Sequence, residues 1–332
     1  MATPDLMEIQ KNFLDKLKHS LSSNVSFVDS LSDLLDISID SVYRRMRGET
    51  ALTFDEILIL CNHYKVTFDS LVETNHAGVT FNYSVLPRSV EGFKMYLRSI
   101  LNDLKSLKTA ENINLFYVAF DIPLFYLFAY PELAAFKMYY WMRSVLNVHE
   151  YQEQKYSFDI TDKEILEIGH ELLEAYSQVG SIEIWTDNTT GSLKKQIEYY
   201  WEAGFFSNDD EALVLCDQAI SLIKSVNHKA ELGTKQAGNE RSEYKLYFSD
   251  IEIGNNCILL EVDGMRRVYH TYNTFNKMVT SNNRFCEESL VWINSIIGKS
   301  TLISGVSEKQ RIQFINKLLK QFEHTKSIIT NV

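Results

Sequence analysis

Six side chains in one short stretch have the types and spacing to grip a nucleic acid: Ser38, Asp40, Ser41, Arg44, Arg45 and Arg47. A guanidinium forks onto guanine O6 and N7 or onto a phosphate, and a serine hydroxyl bonds to either. Asp40 is ambiguous, because a carboxylate accepts from a cytosine amino group but repels phosphate. A run of arginines is also what an ordinary solvated helix carries, so residue types alone leave both readings open.

A second concentration is apolar. Residues 113–143 form the most aromatic part of the chain, and Phe125, Tyr126, Tyr139, Tyr140 and Arg143 are its candidate ligand-contacting residues. Small-molecule pockets are mostly apolar with a few fixed polar groups, a role open to Asp121 or Arg143. The same run reads equally well as dense core. It does not read as a membrane span, since Asp121, Pro123, Pro131 and Glu132 interrupt it well before the roughly twenty residues a bilayer requires.

Signals for catalysis are weak. Gly298-Lys-Ser300 ends like a phosphate-binding loop, but Ile293 stands where the wrapping glycine is needed, and a helix C-cap is the better account. His170 and Glu174 share a helix face without the second histidine of a zinc-protease motif. Neither a nucleophile elbow nor a dinucleotide fingerprint occurs, and Tyr269, His270 and Tyr272 fit an ordinary half-exposed strand. Cys61, Cys216, Cys257 and Cys286 are scattered in apolar or mixed segments, as small buried side chains are. No enzyme activity, cofactor or metal is therefore expected.

The elements that must position the first cluster are short. Ser26 can cap a helix whose Val28, Leu31, Leu34 and Leu35 form one stripe; Asp36-Ile37-Ser38 interrupts it; Ser38 can cap a second helix with Val42 and Met46 on its inner side. Two helices joined so closely must cross steeply, as in a helix-turn-helix. Thr53 and Glu56 then make a capping box for a helix with Ile57, Leu60, Cys61 and Tyr64 on one face. Thr67 opens a further short helix at Phe68–Glu73, and Met7, Phe13, Leu14 and Leu17 supply a helix in front.

Residues 34–48, Leu-Leu-Asp-Ile-Ser-Ile-Asp-Ser-Val-Tyr-Arg-Arg-Met-Arg-Gly, resemble the phage-repressor and Cro-type (XRE-like) helix-turn-helix family. Ile37, Ser38, Val42, Arg47 and Gly48 match its pattern, while Ser41 and Arg44 fall where the family commonly contacts bases or phosphates. Asp36 departs from the usual turn glycine, Met46 from a frequent glutamate, and Asp40 adds a negative charge near DNA. The resemblance implies a mainly α, lambda-repressor-like five-helix domain over residues 1–76 that binds double-stranded DNA, as a homodimer, in a transcription regulator of bacterial type. A protein-interaction module built on the same scaffold is the first competing expectation, and an enzyme with an unfamiliar site in the α/β half, where His270, Asp263 or Glu261 would have to converge, is the second.

The composition bounds that expectation. With 332 residues, 45% hydrophobic and 23% charged, the chain is an ordinary globular protein with room for two or three domains. A net charge of -11 argues against attachment to DNA by bulk electrostatics, so affinity would have to come from a fitted, symmetric site. The first residues carry no basic start followed by an apolar run, and a cytoplasmic setting is expected.

Beyond residue 76 a larger mixed α/β part is expected: a helical, aromatic-rich linker or dimerisation region over 77–158, then an α/β sensor or oligomerisation domain over 159–332. A helix starts at Ser89, a strand covers Leu115 to Asp121, a capping box at Thr161–Glu164 opens a helix, and Ile182 to Trp185 alternate as a strand. Strands at Lys245–Ile253, Cys257–Val262 and Val268–Tyr272 include a hairpin turn at Asp263-Gly264, with helices around residues 287–297 and 307–322. Residues 227–243 read as an exposed mobile loop. The arrangement faintly resembles non-catalytic phospholipase-D-like sensor domains, though neither His228-Lys229 nor His270-Thr-Tyr supplies that family's His-x-Lys. An unknown small-molecule effector and no membrane association complete the expectation.

Overall fold

Phe13, Leu14, Leu17, Phe27, Leu31, Val42 and Leu60 recur at helical spacing on successive segments, and in the computed structural model they meet in one buried cluster. The structure describes residues 6–19, 26–64 and 78–331. The helices that supply this cluster are α1 (Leu6–His19), α2 (Phe27–Leu35), α3 (Ile39–Met46) and α4 (Phe54–Tyr64). They belong to a unit of Met1–Asn82 with Thr280–Phe285; the rest, Tyr83–Val279 with Cys286–Val332, is a second, larger unit. The further helix expected at Phe68–Glu73, with its cap Thr67, lies outside the described residues.

The larger unit is mixed α/β. Its helices are α5 (Val90–Ser106), α6 (Leu124–Leu127), α7 (Pro131–Tyr140), α8 (Lys163–Ser177), α9 (Gly191–Glu202), α10 (Asp209–Leu232), α11 (Asn283–Ile297) and α12 (Glu308–Thr330). The strands are β1 (Asn82–Tyr83), β2 (Ile113–Val118), β3 (Ser181–Trp185), β4 (Tyr244–Phe248), β5 (Cys257–Val262), β6 (Met265–Tyr272), β7 (Asn276–Thr280) and β8 (Thr301–Leu302). They form an eight-stranded sheet of order β1-β7-β6-β5-β2-β3-β4-β8.

Strand β2 is the seam of this sheet. It runs parallel to β3, which runs parallel to β4, and those connections carry the helices that parallel crossovers need. On its other side β2 is antiparallel to β5, which pairs antiparallel with β6 through a tight hairpin. Asp263 and Gly264 both take positive φ, 48° and 84°, as a two-residue hairpin turn of the right twist requires. The Asp263 carboxylate also accepts from the amides of Glu111 and Asn112, which pins the hairpin to the start of β2.

Two expectations need correction. Residues 77–158 do not stand apart from 159–332, because β2 lies inside the sheet and one hydrophobic core joins Phe93, Tyr126 and Tyr139 to Tyr176, Leu222 and Phe322. Residues 227–243 are an exposed connection only in part: α10 continues to Leu232, Gly233 closes it at φ 67°, and Lys235 and Ser242 are buried, while residues 236–238, 240, 241 and 243 are exposed. The polar composition misled there because those polar groups are satisfied internally, Ser242 by Thr234 and Gln236. Among the described residues no helix is long and apolar enough to cross a membrane.

Candidate nucleic-acid interface and ligand cavity

Local chemistry sets the α2–α3 corner. Ser26 Oγ accepts from the Asp29 amide to start α2, and Asp36 ends it in the left-handed region, φ 51° and ψ 49°, with its N–H on the Ser32 carbonyl. Aspartate tolerates that conformation better than most residues, so it can stand where glycine is usual. Ser32 Oγ donates to the Ile37 carbonyl at 2.6 Å, and Ser38 Oγ accepts from the Ser41 amide to start α3. Gly48, φ 73°, closes the corner beyond α3, where an added Cβ would stand 3.0 Å from the Lys11 side chain and 3.3 Å from Met7.

Helical spacing divides α3 into two faces. Val42 is buried and Met46 packs on the same core, whereas Asp40, Tyr43, Arg44 and Arg47 are exposed. Ser41 is half-buried at the margin, its hydroxyl 2.9 Å from that of Ser38. Ile39 and Tyr43, exposed by 49% and 45%, belong to the outward face and escape a search for polar contacts alone.

Each arginine here has an acidic partner, with different consequences. Arg45 forks onto Glu56, Nε to Oε2 at 3.2 Å and Nη2 to Oε1 at 2.6 Å, and both side chains are mostly buried. Glu56 at the same time accepts from the Thr53 amide in the expected capping box, so Arg45 ties α3 to the start of α4. Arg45 therefore leaves the set of candidate contacts. It follows Val42 by one helical turn, which points it inward. Arg44 pairs with Asp40 at 3.0 Å and Arg47 with Glu49 at 2.6 Å, all four side chains more than half exposed. The Arg47 hydrogen bond holds the Glu49 carboxyl below its usual range. Exposed pairs of this kind contribute about 0–1 kcal/mol and exchange readily for another partner.

The aromatic candidates scatter within the larger unit. Phe125 stacks on Tyr176 at 4.1 Å and lines a cavity of about 150 Å³. The others do not line it. Tyr126 OH donates to Glu183 at 2.7 Å, Tyr139 OH donates to the Gln154 carbonyl, and Tyr140 lies 5.6 Å from Lys137 Nζ. Arg143 donates to the Tyr151 carbonyl at 2.6 Å and stacks over Phe205. From Pro131 onward the residues that face the cavity are Lys137 and Trp141, four apart; Tyr139, Tyr140 and Arg143 fall at other angles of the same helical turn.

Sequence reasoning missed most of this cavity. Its sheet face comes from alternate residues, Leu115 and Tyr117 on β2 and Ile258 and Leu260 on β5, and Tyr96, Ile100 and Leu104 of α5 cover them. Two ion pairs reach it, Lys137–Asp121 at 3.2 Å and Lys277–Asp103 at 2.7 Å. Lys137 is only 2% exposed; Gln196 Oε1 accepts its second hydrogen bond at 2.9 Å, and Trp141 stacks against its ammonium.

Behind Tyr176 lies a polar hub. Glu183 is fully buried on β3 and accepts from Tyr126, Tyr176, Ser181, Trp185 and Tyr244. Lys235 sits over the Tyr176 ring and donates to the Val179 carbonyl at 3.0 Å; burial pushes its ammonium down to about 7, against the pull of Glu183.

The weaker catalytic motifs occupy plain structural positions. His170 and Glu174 are an exposed pair at 3.4 Å, and the Gly298 amide donates to the Asn294 carbonyl at the end of α11. Comparison of the chain with protein-family models, with curated proteins and with solved structures finds no match.

Proposed function

We propose that the chain is a transcription regulator in which a lambda-repressor-like helix-turn-helix domain, acting as a homodimer, reads duplex DNA through α3. The observation that carries this reading is the division of labour on α3: Arg45 is spent inward on Glu56, while Arg44 and Arg47 remain outward in exposed, exchangeable pairs. Ser38, Asp40, Ser41, Arg44 and Arg47 stay the candidate contacts, joined by Ile39 and Tyr43, whose apolar surfaces suit thymine methyl groups. Because the outward arginines are matched by Asp40 and Glu49, non-specific affinity is low and recognition rests on base contacts and symmetry.

The test is selection of duplexes by the full chain, followed by titration of the selected sequence. Arg44→Ala should weaken specific binding about 5- to 150-fold, the range of one good base contact. Asp40→Asn should tighten non-specific binding by removing a charge near phosphate. Failure to enrich any sequence, or an Arg44→Ala variant that binds as well as the parent, would overturn the reading. The same matched charges support a second reading, a protein-interaction module, and exposed Phe54, Leu58 and Ile59 on α4 favour it. That reading expects a partner whose binding is lost on Phe54→Ala and unaffected by Arg44→Ala.

A further inference from the structure

The cavity between α5 and the β2–β5 side of the sheet is lined by a hydroxyl that the protein leaves unused. Tyr117 is 5% exposed and lines the cavity, yet among the described residues its hydroxyl has no hydrogen-bond partner. Its neighbours are otherwise satisfied: Tyr96 OH donates to the Phe275 carbonyl at 2.6 Å, and Lys137 is held by Asp121 and Gln196. Burial, with Glu183 and Asp121 nearby, raises the Tyr117 phenol well above its usual range, so it stays a protonated donor at any physiological pH. A donor that lines a cavity and has no protein acceptor is free to serve a guest, which has only water to displace from it.

Three features specify what would complete it. A cavity near 150 Å³ lined by Leu, Ile and Phe holds a guest the size of benzene. The charged groups that reach it come as matched pairs, Lys137 with Asp121 and Lys277 with Asp103, so no net charge awaits a counter-ion. Of the hydroxyls that line it, that of Tyr117 is on a buried strand residue, whereas Thr274 is exposed. We infer that this cavity is a binding site for a neutral, single-ring apolar molecule bearing one hydrogen-bonding oxygen, with Tyr117 as the residue that selects that oxygen.

The site stands independently of DNA recognition. Titration of the full chain with phenol, toluene and benzoate, followed by calorimetry or by the fluorescence of nearby Trp141, tests it. Phenol should bind saturably with one site per chain, about 5- to 10-fold tighter than toluene, the difference a single neutral hydrogen bond makes. Benzoate should bind at least tenfold more weakly than phenol. Tyr117→Phe should bring phenol down to the level of toluene while leaving toluene unchanged, and the unliganded variant should be as stable as the parent or more so. Ile100→Phe, which fills space from the α5 side, should weaken both. The inference fails if phenol does not saturate a site, if benzoate binds as well as phenol, or if Tyr117→Phe keeps the preference for phenol over toluene.

Discussion

Two regions of this chain, the outward face of α3 and the interior of the larger unit, treat charge in opposite ways. On α3, Arg44 and Arg47 pair with Asp40 and Glu49 in full view of water, whereas in the interior of the larger unit Glu183, Lys137 and Lys235 are buried and held by aromatic hydroxyls, a side-chain amide, backbone carbonyls and, for Lys137, the Asp121 carboxylate. The first arrangement is cheap to break and open to a new partner. The second is rigid, because removing any member strands its partners in a low dielectric. Arg45 stands between them, an arginine of the recognition-like helix that follows the rules of the interior.

The largest effect should come from breaking the hub. Glu183→Ala would leave Tyr126, Tyr176, Trp185 and Tyr244 without their acceptor and should destabilise the larger unit by about 3–5 kcal/mol. Urea unfolding followed by tryptophan fluorescence measures this cleanly, since Trp141, Trp185, Trp201 and Trp292 all lie in that unit. A change below 1 kcal/mol would mean the hub is not a structural keystone.

Next in size is a pH effect. The Lys235 ammonium is lowered to about 7 by burial, so between pH 7 and its ordinary value near 10.4 the unfolded chain holds a proton that the folded chain lacks. Its contribution to stability therefore rises with pH across that window, by at most about 1.4 kcal/mol per pH unit, and is lost as pH falls through 7. Lys235→Met should flatten the dependence of urea midpoint on pH between 7 and 10; an unchanged slope would refute the assignment.

Smaller effects separate the arginines. Arg45→Ala should destabilise the α3–α4 corner by about 1–3 kcal/mol, read as faster amide exchange in α3, because it strips Glu56 of a charged hydrogen-bond partner. Arg44→Ala should move the same exchange by less than about 0.5 kcal/mol. Equal effects would erase the distinction between inward and outward guanidinium groups.

The elements were more legible than the site. Caps and periodicity placed α2, α3 and α4, because Ser26, Ser38, Thr53 and Glu56 act through amides three residues away. The Asp263-Gly264 hairpin was legible for the same reason. Contacts between distant segments were not. Arg45 and Arg44 are indistinguishable as residue types, and only the packing of α4 makes one structural. The cavity is assembled from residues as far apart as Tyr96 and Lys277, and Tyr117 alternating with Leu115 along β2 says nothing alone about what stands opposite. The aromatic run drew attention to Tyr139 and Arg143, whose polar atoms are consumed by backbone carbonyls of residues 151–154.

The seam at β2 also sets a timetable for synthesis. Leu115 pairs with Leu260, so the antiparallel edge of β2 stays open while some 145 further residues are made, roughly 7 to 30 seconds at ordinary elongation rates. Throughout that interval Leu115 and Tyr117 lack the β5 neighbours that later complete their surroundings. The nascent chain is therefore most vulnerable to strand-to-strand association before Cys257–Val262 leaves the ribosome, and slower translation across residues 120–256 should lower the yield of folded protein.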